Sequence, residues 1–166
     1  MTSTSDDHSK LWDLIKHIKF GMFTHSHADG RLHSHPLTTQ NKSIDEGAML
    51  YFFVPKSGEI AQRLQSEGNV NVAYADPGDD SYVSVSGSAS LLEDQAKKEE
   101  LFSSFAKAWF PDGAGDPNLG LIQVRIVHAE YWDVKESKMV QLAKMATAAV
   151  TGKRPSLGEH KELNMG

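Results

Sequence analysis

Residues 81–92 read SYVSVSGSASLL. Val83, Val85, Gly87, Ala89 and Leu91 share one side of a two-residue period, and Ser84, Ser86, Ser88 and Ser90 take the other. Successive side chains of a strand point to opposite faces, so this pattern demands a strand with one apolar and one solvated face. Such half-solvated strands belong to antiparallel sheets, because parallel sheets are covered on both faces.

The remaining segments extend that architecture. AMLYFFVP, Ala48 to Pro55, is a short continuous apolar run and predicts a strand buried on both faces. NVNVAYADP predicts another, stopped by Pro77 and Gly78. Met22–Ser26 and Leu32–Gln40 flank Ala28-Asp29-Gly30-Arg31, a hairpin signal. LGLIQVRIVHAEYWDV supplies the last strand.

Helical spacing appears at Leu11, Leu14, Ile15 and Ile18, with Asp6 and Asp7 as candidate N-caps. Ser57 is placed to cap a short helix bearing Ile60, Ala61 and Leu64 and closed by Gly68. Asp94 starts a helix with Leu101, Phe102, Phe105 and Trp109 on one side. A final helix is expected over Ser137–Gly152, followed by a polar tail after Pro155. Helices inserted between hairpins predict an α+β, mainly β fold: a six-stranded antiparallel barrel with flanking helices, in a single domain over 1–166.

Bulk properties remove several function classes. The net charge is −5 and there is no long basic run, which argues against nucleic acid. The absence of cysteine removes disulfides, thiol nucleophiles and Cys-based zinc sites. MTSTSDDHSK is polar and acidic, unlike a signal peptide, and no apolar run approaches the roughly 18 residues a membrane span needs. A soluble, cytoplasmic protein is expected. No Ser-His-Asp pattern, paired-carboxylate motif or GxxxxGK loop is present, so any catalysis is expected to come from a bound cofactor.

Four of the eight histidines crowd into FTHSHADGRLHSHPLTTQ, residues 23–40. Neutral imidazole suits zinc, copper, nickel or iron. Spacing of two places His25 and His27 on one face of a strand, and His33 and His35 on one face of the next. If Asp29-Gly30 is a two-residue turn, His27 opposes Leu32 and His25 opposes Ser34. The two pairs then lie on opposite faces. The four converge only if the turn is one residue longer or shorter, so no metal site is expected.

The order of segments carries a family signal. GMFTHSHADG, RLHSHPLTTQ, LYFFVPKSGEIAQRL and VSVSGSASL precede AWFPDGAGDPNL and AEYWD, with a Lys-rich helix running into TGKRP. From about Leu11 to Pro155 the chain resembles the general stress protein 26 family of the pyridoxamine 5′-phosphate oxidase-like, FMN-binding split barrels. AWFPDG and DPNL with AEYWD are the most specific part.

The resemblance implies a homodimer with FMN, or FAD, in a groove at the subunit interface. The strand Ser34, His35, Pro36, Leu37, Thr38, Thr39 and Gln40 would border the flavin ring. Phe52, Phe53 and Val54 would wall it, with Lys56 and Ser57 at the phosphate. Trp109 and Trp132 are candidate cofactor or subunit contacts. Two positions depart from the family pattern: His35 stands where Arg is common, and Glu59 stands where a basic residue is usual. Losing one charged phosphate contact weakens binding by about 1.5–3 kcal/mol.

The expected function is a flavin-binding general stress protein that binds or senses FMN or FAD with little or no turnover. The alternatives are an FMN-dependent oxidoreductase and a His-rich metal-binding module.

Overall fold

The computed structural model describes residues 5–44, 47–134 and 138–165. Seven strands form one antiparallel sheet: β1 (Phe20–Ser26), β2 (Leu32–Thr38), β3 (Met49–Pro55), β4 (Asn69–Asp76), β5 (Ser81–Leu91), β6 (Leu119–Asp133) and β7 (Glu159–Asn164). The strand order is β2-β1-β4-β5-β6-β3, with β7 also paired to β6. A single bridge, Thr39 to Phe52, brings the end of β2 against β3 and curls the sheet into a split barrel. The backbone N–H of Gln40 donates to the Tyr51 carbonyl at the same place, at 2.8 Å.

The alternation in β5 does what its period requires. Val83, Val85 and Ala89 are buried in the barrel interior beside Phe23, Val72, Tyr74, Val124 and Ile126. The continuous apolar run of β3 also has its reason. Leu50, Phe52 and Val54 face the interior, while Tyr51 and Phe53 enter a second cluster with Leu101, Phe110, Leu119 and Leu121. β3 is therefore buried on both faces by two separate cores.

Four helices lie around the sheet among the described residues: α1 (Ser5–Ile15), α2 (Glu59–Leu64), α3 (Gln95–Leu101) and α4 (Lys138–Thr151). Asp94 caps α3, its carboxylate accepting from the Lys97 N–H at 3.0 Å. Asp6 and Asp7 sit inside the first turn of α1, where carboxylates favour the helix dipole, instead of capping it. The start expected for α4, Ser137, lies outside the described residues.

Four expectations are corrected. The polar tail contains β7, whose residues 159–164 pair with Asp133 back to His128. Main-chain hydrogen bonds and one buried side chain, Leu163, hold it, so it has almost no apolar signature. Gly158 leads into it at φ +70, where a Cβ would meet the Asp133 carbonyl oxygen at 2.4 Å. Gly58, not Ser57, occupies the N-cap of α2, without a side-chain cap. The helix after Asp94 ends at Leu101 because Phe102 is extended; Phe105 and Trp109 flank a separate short 3-10 turn, Ala106–Ala108.

The fourth correction concerns the hairpin. His27 N–H donates to the Arg31 carbonyl at 2.8 Å, and Gly30 N–H donates to the His27 carbonyl at 3.0 Å. The loop is thus Ala28-Asp29-Gly30, three residues, with Gly30 in the left-handed region at φ +83. That extra residue shifts the register. His25 now opposes His33, and Phe23 opposes His35.

Candidate functional site

β2 is paired to β1 along one edge, and its other edge joins β3 only at the Thr39 bridge. The gap left at this split is a groove of about 450 Å³. One wall is β2 with its extension: His35, Pro36, Leu37, Thr38 and Gln40. The facing wall is the end of β3, Phe53 to Pro55, and the start of α2, Gly58 to Ile60. Phe105, Ala106, Trp109 and Phe110 cover one side, and Phe20 of β1 completes the lining. A large planar ligand needs this combination of apolar walls and a few aimed polar groups.

Eight of the residues expected from the sequence line the groove: His35, Pro36, Leu37, Thr38, Gln40, Phe53, Val54 and Trp109. The other six lie elsewhere. Ser34 lies further along β2, where its hydroxyl meets that of Thr24 at 2.5 Å. Thr39 bonds the buried Tyr74 hydroxyl. Phe52 is fully buried against Phe23, edge to face at 5.7 Å. Lys56 pairs with Glu93 at 3.0 Å, and Ser57 donates its N–H to Asn118 Oδ1 at 3.0 Å. Trp132 stacks on His160 across β6 and β7. Arg63, at the end of α2, is turned away as well: its Nε donates to the Ser26 carbonyl at 2.7 Å.

Sequence reasoning missed Phe20 and Phe110, and placed Phe105 in helix packing. The register supplies the signal for Phe20, which pairs with Thr38. It also missed Lys19, whose Nζ lies 5.4 Å from the Phe20 ring centroid and 4.3 Å from that of Phe105, a cation at the groove's rim.

The ionisable groups among the described lining residues are His35 and Glu59. The walls therefore fit a flavin ring, while the α2 end of the groove presents a carboxylate and no fixed cation to a phosphate. A more open cleft of about 890 Å³ suits an anion no better, since Asp13, Asp76, Asp79, Asp80 and Asp133 line it with Lys10 and Lys138.

Beside the groove, the corrected register gathers the histidines. His25, His27, His33 and His35 share one face of the hairpin and converge on Glu59 at the start of α2. His33 Nδ1 donates to Glu59 Oε1 at 2.9 Å, and His27 Nε2 lies 3.3 Å from the same oxygen. His25 Nε2 lies 3.6 Å from Oε1, and His35 Nε2 lies 3.9 Å from Oε2. His25 and His35 face each other Nε2 to Nε2 at 3.2 Å. His27 and His33 stack in parallel with centroids 4.1 Å apart. Burial holds the His25 imidazole below its usual pKa, with Glu59 opposing the shift. Asp29 is held below the usual carboxylate range, first by the Arg31 N–H, which donates at 2.8 Å, and then by His27.

An antiparallel split barrel with an aromatic groove at the split defines a class of small ligand-binding fold. The chain belongs to the "Pyridoxamine 5′-phosphate oxidase like" family, whose model matches residues 6–156. It is similar to General stress protein 26 of Bacillus subtilis, 29% identical over 122 residues that cover 72% of this chain and 83% of that one. It is also similar to Protein bli-3 of Neurospora crassa, 27% identical over 134 residues; these cover 76% of this chain and 62% of the relative's length. The crystal structure of the general stress FMN/FAD binding protein from Xanthomonas citri superposes with a TM-score of 0.69 at 29% identity, covering 81% of this chain and 93% of that one. No helix of the described residues is long and apolar enough to cross a membrane.

Proposed function

We propose that this chain is a flavin-binding general stress protein that holds FMN or FAD in the groove beside β2, binding or sensing it with little or no turnover. The groove itself carries the reading. Its walls set Leu37, Phe53, Val54 and Trp109 around a slot, with the unpaired edge of β2 available to hydrogen-bond a ring's polar rim. That the similar Xanthomonas citri protein is a general stress FMN/FAD binding protein supports a flavin as the ligand.

Two copies of the chain would complete the site. Phe20, Met22 and Leu32 on the outer face of the hairpin, with Phe105 and Trp109, form exposed apolar surface around the groove. Trp109 is 75% exposed in the single chain. Surface of this kind marks an interface.

The test is a titration of flavin-free protein with FMN, read by flavin fluorescence and by sedimentation. Saturable quenching at one flavin per chain, in a dimer, supports the proposal. No quenching at tens of micromolar FMN sinks it. Anaerobic bleaching of bound flavin by a reduced nicotinamide nucleotide, which gives its hydride to the ring, would replace the binding role with an oxidoreductase.

A further inference from the structure

We propose that His25, His35 and Glu59 form a binding site for a divalent transition cation such as Zn2+. The site follows from the three-residue hairpin loop, which places all four clustered histidines on one face, and from α2, which brings Glu59 beneath them.

The geometry suits coordination. A tetrahedral zinc with Zn–N of about 2.0–2.1 Å has ligand nitrogens roughly 3.3 Å apart. His25 Nε2 and His35 Nε2 are 3.2 Å apart. The Glu59 oxygens stand 3.6 and 3.9 Å from those nitrogens. One ligand atom from each residue falls within 4.8 Å of the others. Imidazole and carboxylate together select zinc, nickel or copper over calcium or magnesium.

His25 sits where burial disfavours an imidazole. A strand position beside Phe23 and Val70 would be filled most stably by an apolar side chain, yet His25 is there at 1% exposure. Two neutral imidazoles that meet Nε2 to Nε2 share one proton in a hydrogen bond, whereas with both protons on Nδ1 both Nε2 lone pairs point into the same space. A cation accepts both lone pairs. His33, donating to Glu59 Oε1, and His27 beside it hold the carboxylate in place, as outer partners of metal ligands commonly do. Three protein ligands leave a coordination position open. His35 and Glu59 also line the groove, so that position faces it.

This inference stands without the flavin reading, and its test uses metal alone. The full chain, stripped with chelator, is titrated with Zn2+ by calorimetry, and dialysed protein is assayed for bound zinc. One Zn2+ per chain is expected, with ring resonances of His25 and His35 shifting on binding. Glu59→Gln and His35→Ala are each expected to lower affinity by at least about tenfold. Both residues are half-buried, so the fold tolerates the changes, and circular dichroism checks this. His160→Ala, which removes the histidine of a separate exposed cluster with Glu130 and Glu162, is expected to change nothing. Zinc uptake below one per chain overturns the proposal. So does a Glu59→Gln, His35→Ala double variant that binds zinc as the parent does.

Discussion

The hydroxyl groups of Thr39 and Tyr74 meet at 2.5 Å, at the one place where β2 bridges to β3. Tyr74 is buried, and burial raises its phenol pKa well above the ordinary value, so it stays protonated and able to donate. Tyr74→Phe leaves the Thr39 hydroxyl without that partner. A loss of about 1 kcal/mol is expected, seen as a fall of roughly 2–4 °C in Tm. An unchanged melting curve would show that the closure of the barrel does not depend on this bond.

Trp109 tests the groove without testing the fold. It is largely exposed and packs into neither core cluster, so Trp109→Ala leaves thermal stability unchanged. Aromatic stacking is worth about 0.5–1.5 kcal/mol beyond area burial. FMN affinity is therefore expected to fall by about tenfold in a fluorescence titration. Parental affinity would remove Trp109 from the flavin's wall.

Gly30 sets the register on which the histidine cluster depends. Its φ of +83 is open to glycine and strained for other residues. Gly30→Ala is expected to destabilise the chain by about 1–2 kcal/mol, measured by urea unfolding. Nothing lies within 4 Å of the added Cβ, so the cost is conformational and not steric. A neutral substitution would mean that the loop changes type.

The sheet was legible because its strands announce themselves by period and by apolar runs. β5 alternates, and β3 is apolar throughout because it separates two cores. β7 was not legible: Glu159–Asn164 buries one side chain, and main-chain pairing to β6 holds the rest. The register of β1 and β2 was lost at one residue, since Asp29-Gly30 reads equally well as a two-residue turn or as the end of a three-residue one. That slip reversed the face of every β2 side chain. Most of the β2 wall was still found, because segment order placed it. Phe20 was not, because the strand was begun at Met22 and left out the residue that pairs with Thr38; Phe110 was not, because its approach to the groove arises from tertiary packing.

Asp80 ties α4 to the β4–β5 turn. Its carboxylate accepts from Gln141 Nε2 at 3.0 Å and from Lys138, and these two partners hold its pKa below the ordinary 3.8. A lowered folded-state pKa contributes stability above the unfolded value and loses it as pH falls through the folded one. Proteolysis within α4 is therefore expected to rise as pH falls below about 4, and Asp80→Asn is expected to raise it already at neutral pH. Equal cleavage in parent and variant at neutral pH would show that other contacts hold the helix.

A cation at His25, His35 and Glu59 would change what the groove can bind. The groove's α2 end carries the Glu59 carboxylate, which repels a phosphate, whereas a bound Zn2+ reverses the local charge and offers its open position to a phosphate oxygen. Riboflavin has the ring and lacks the phosphate, so it separates the two effects. Zn2+ is expected to tighten FMN by about tenfold, the size of one charge-assisted contact, and to leave riboflavin affinity unchanged. Fluorescence titrations of both flavins, with and without Zn2+, measure this. An equal gain for riboflavin would assign the effect to the shape of the groove. No gain for either flavin would place the phosphate away from Glu59.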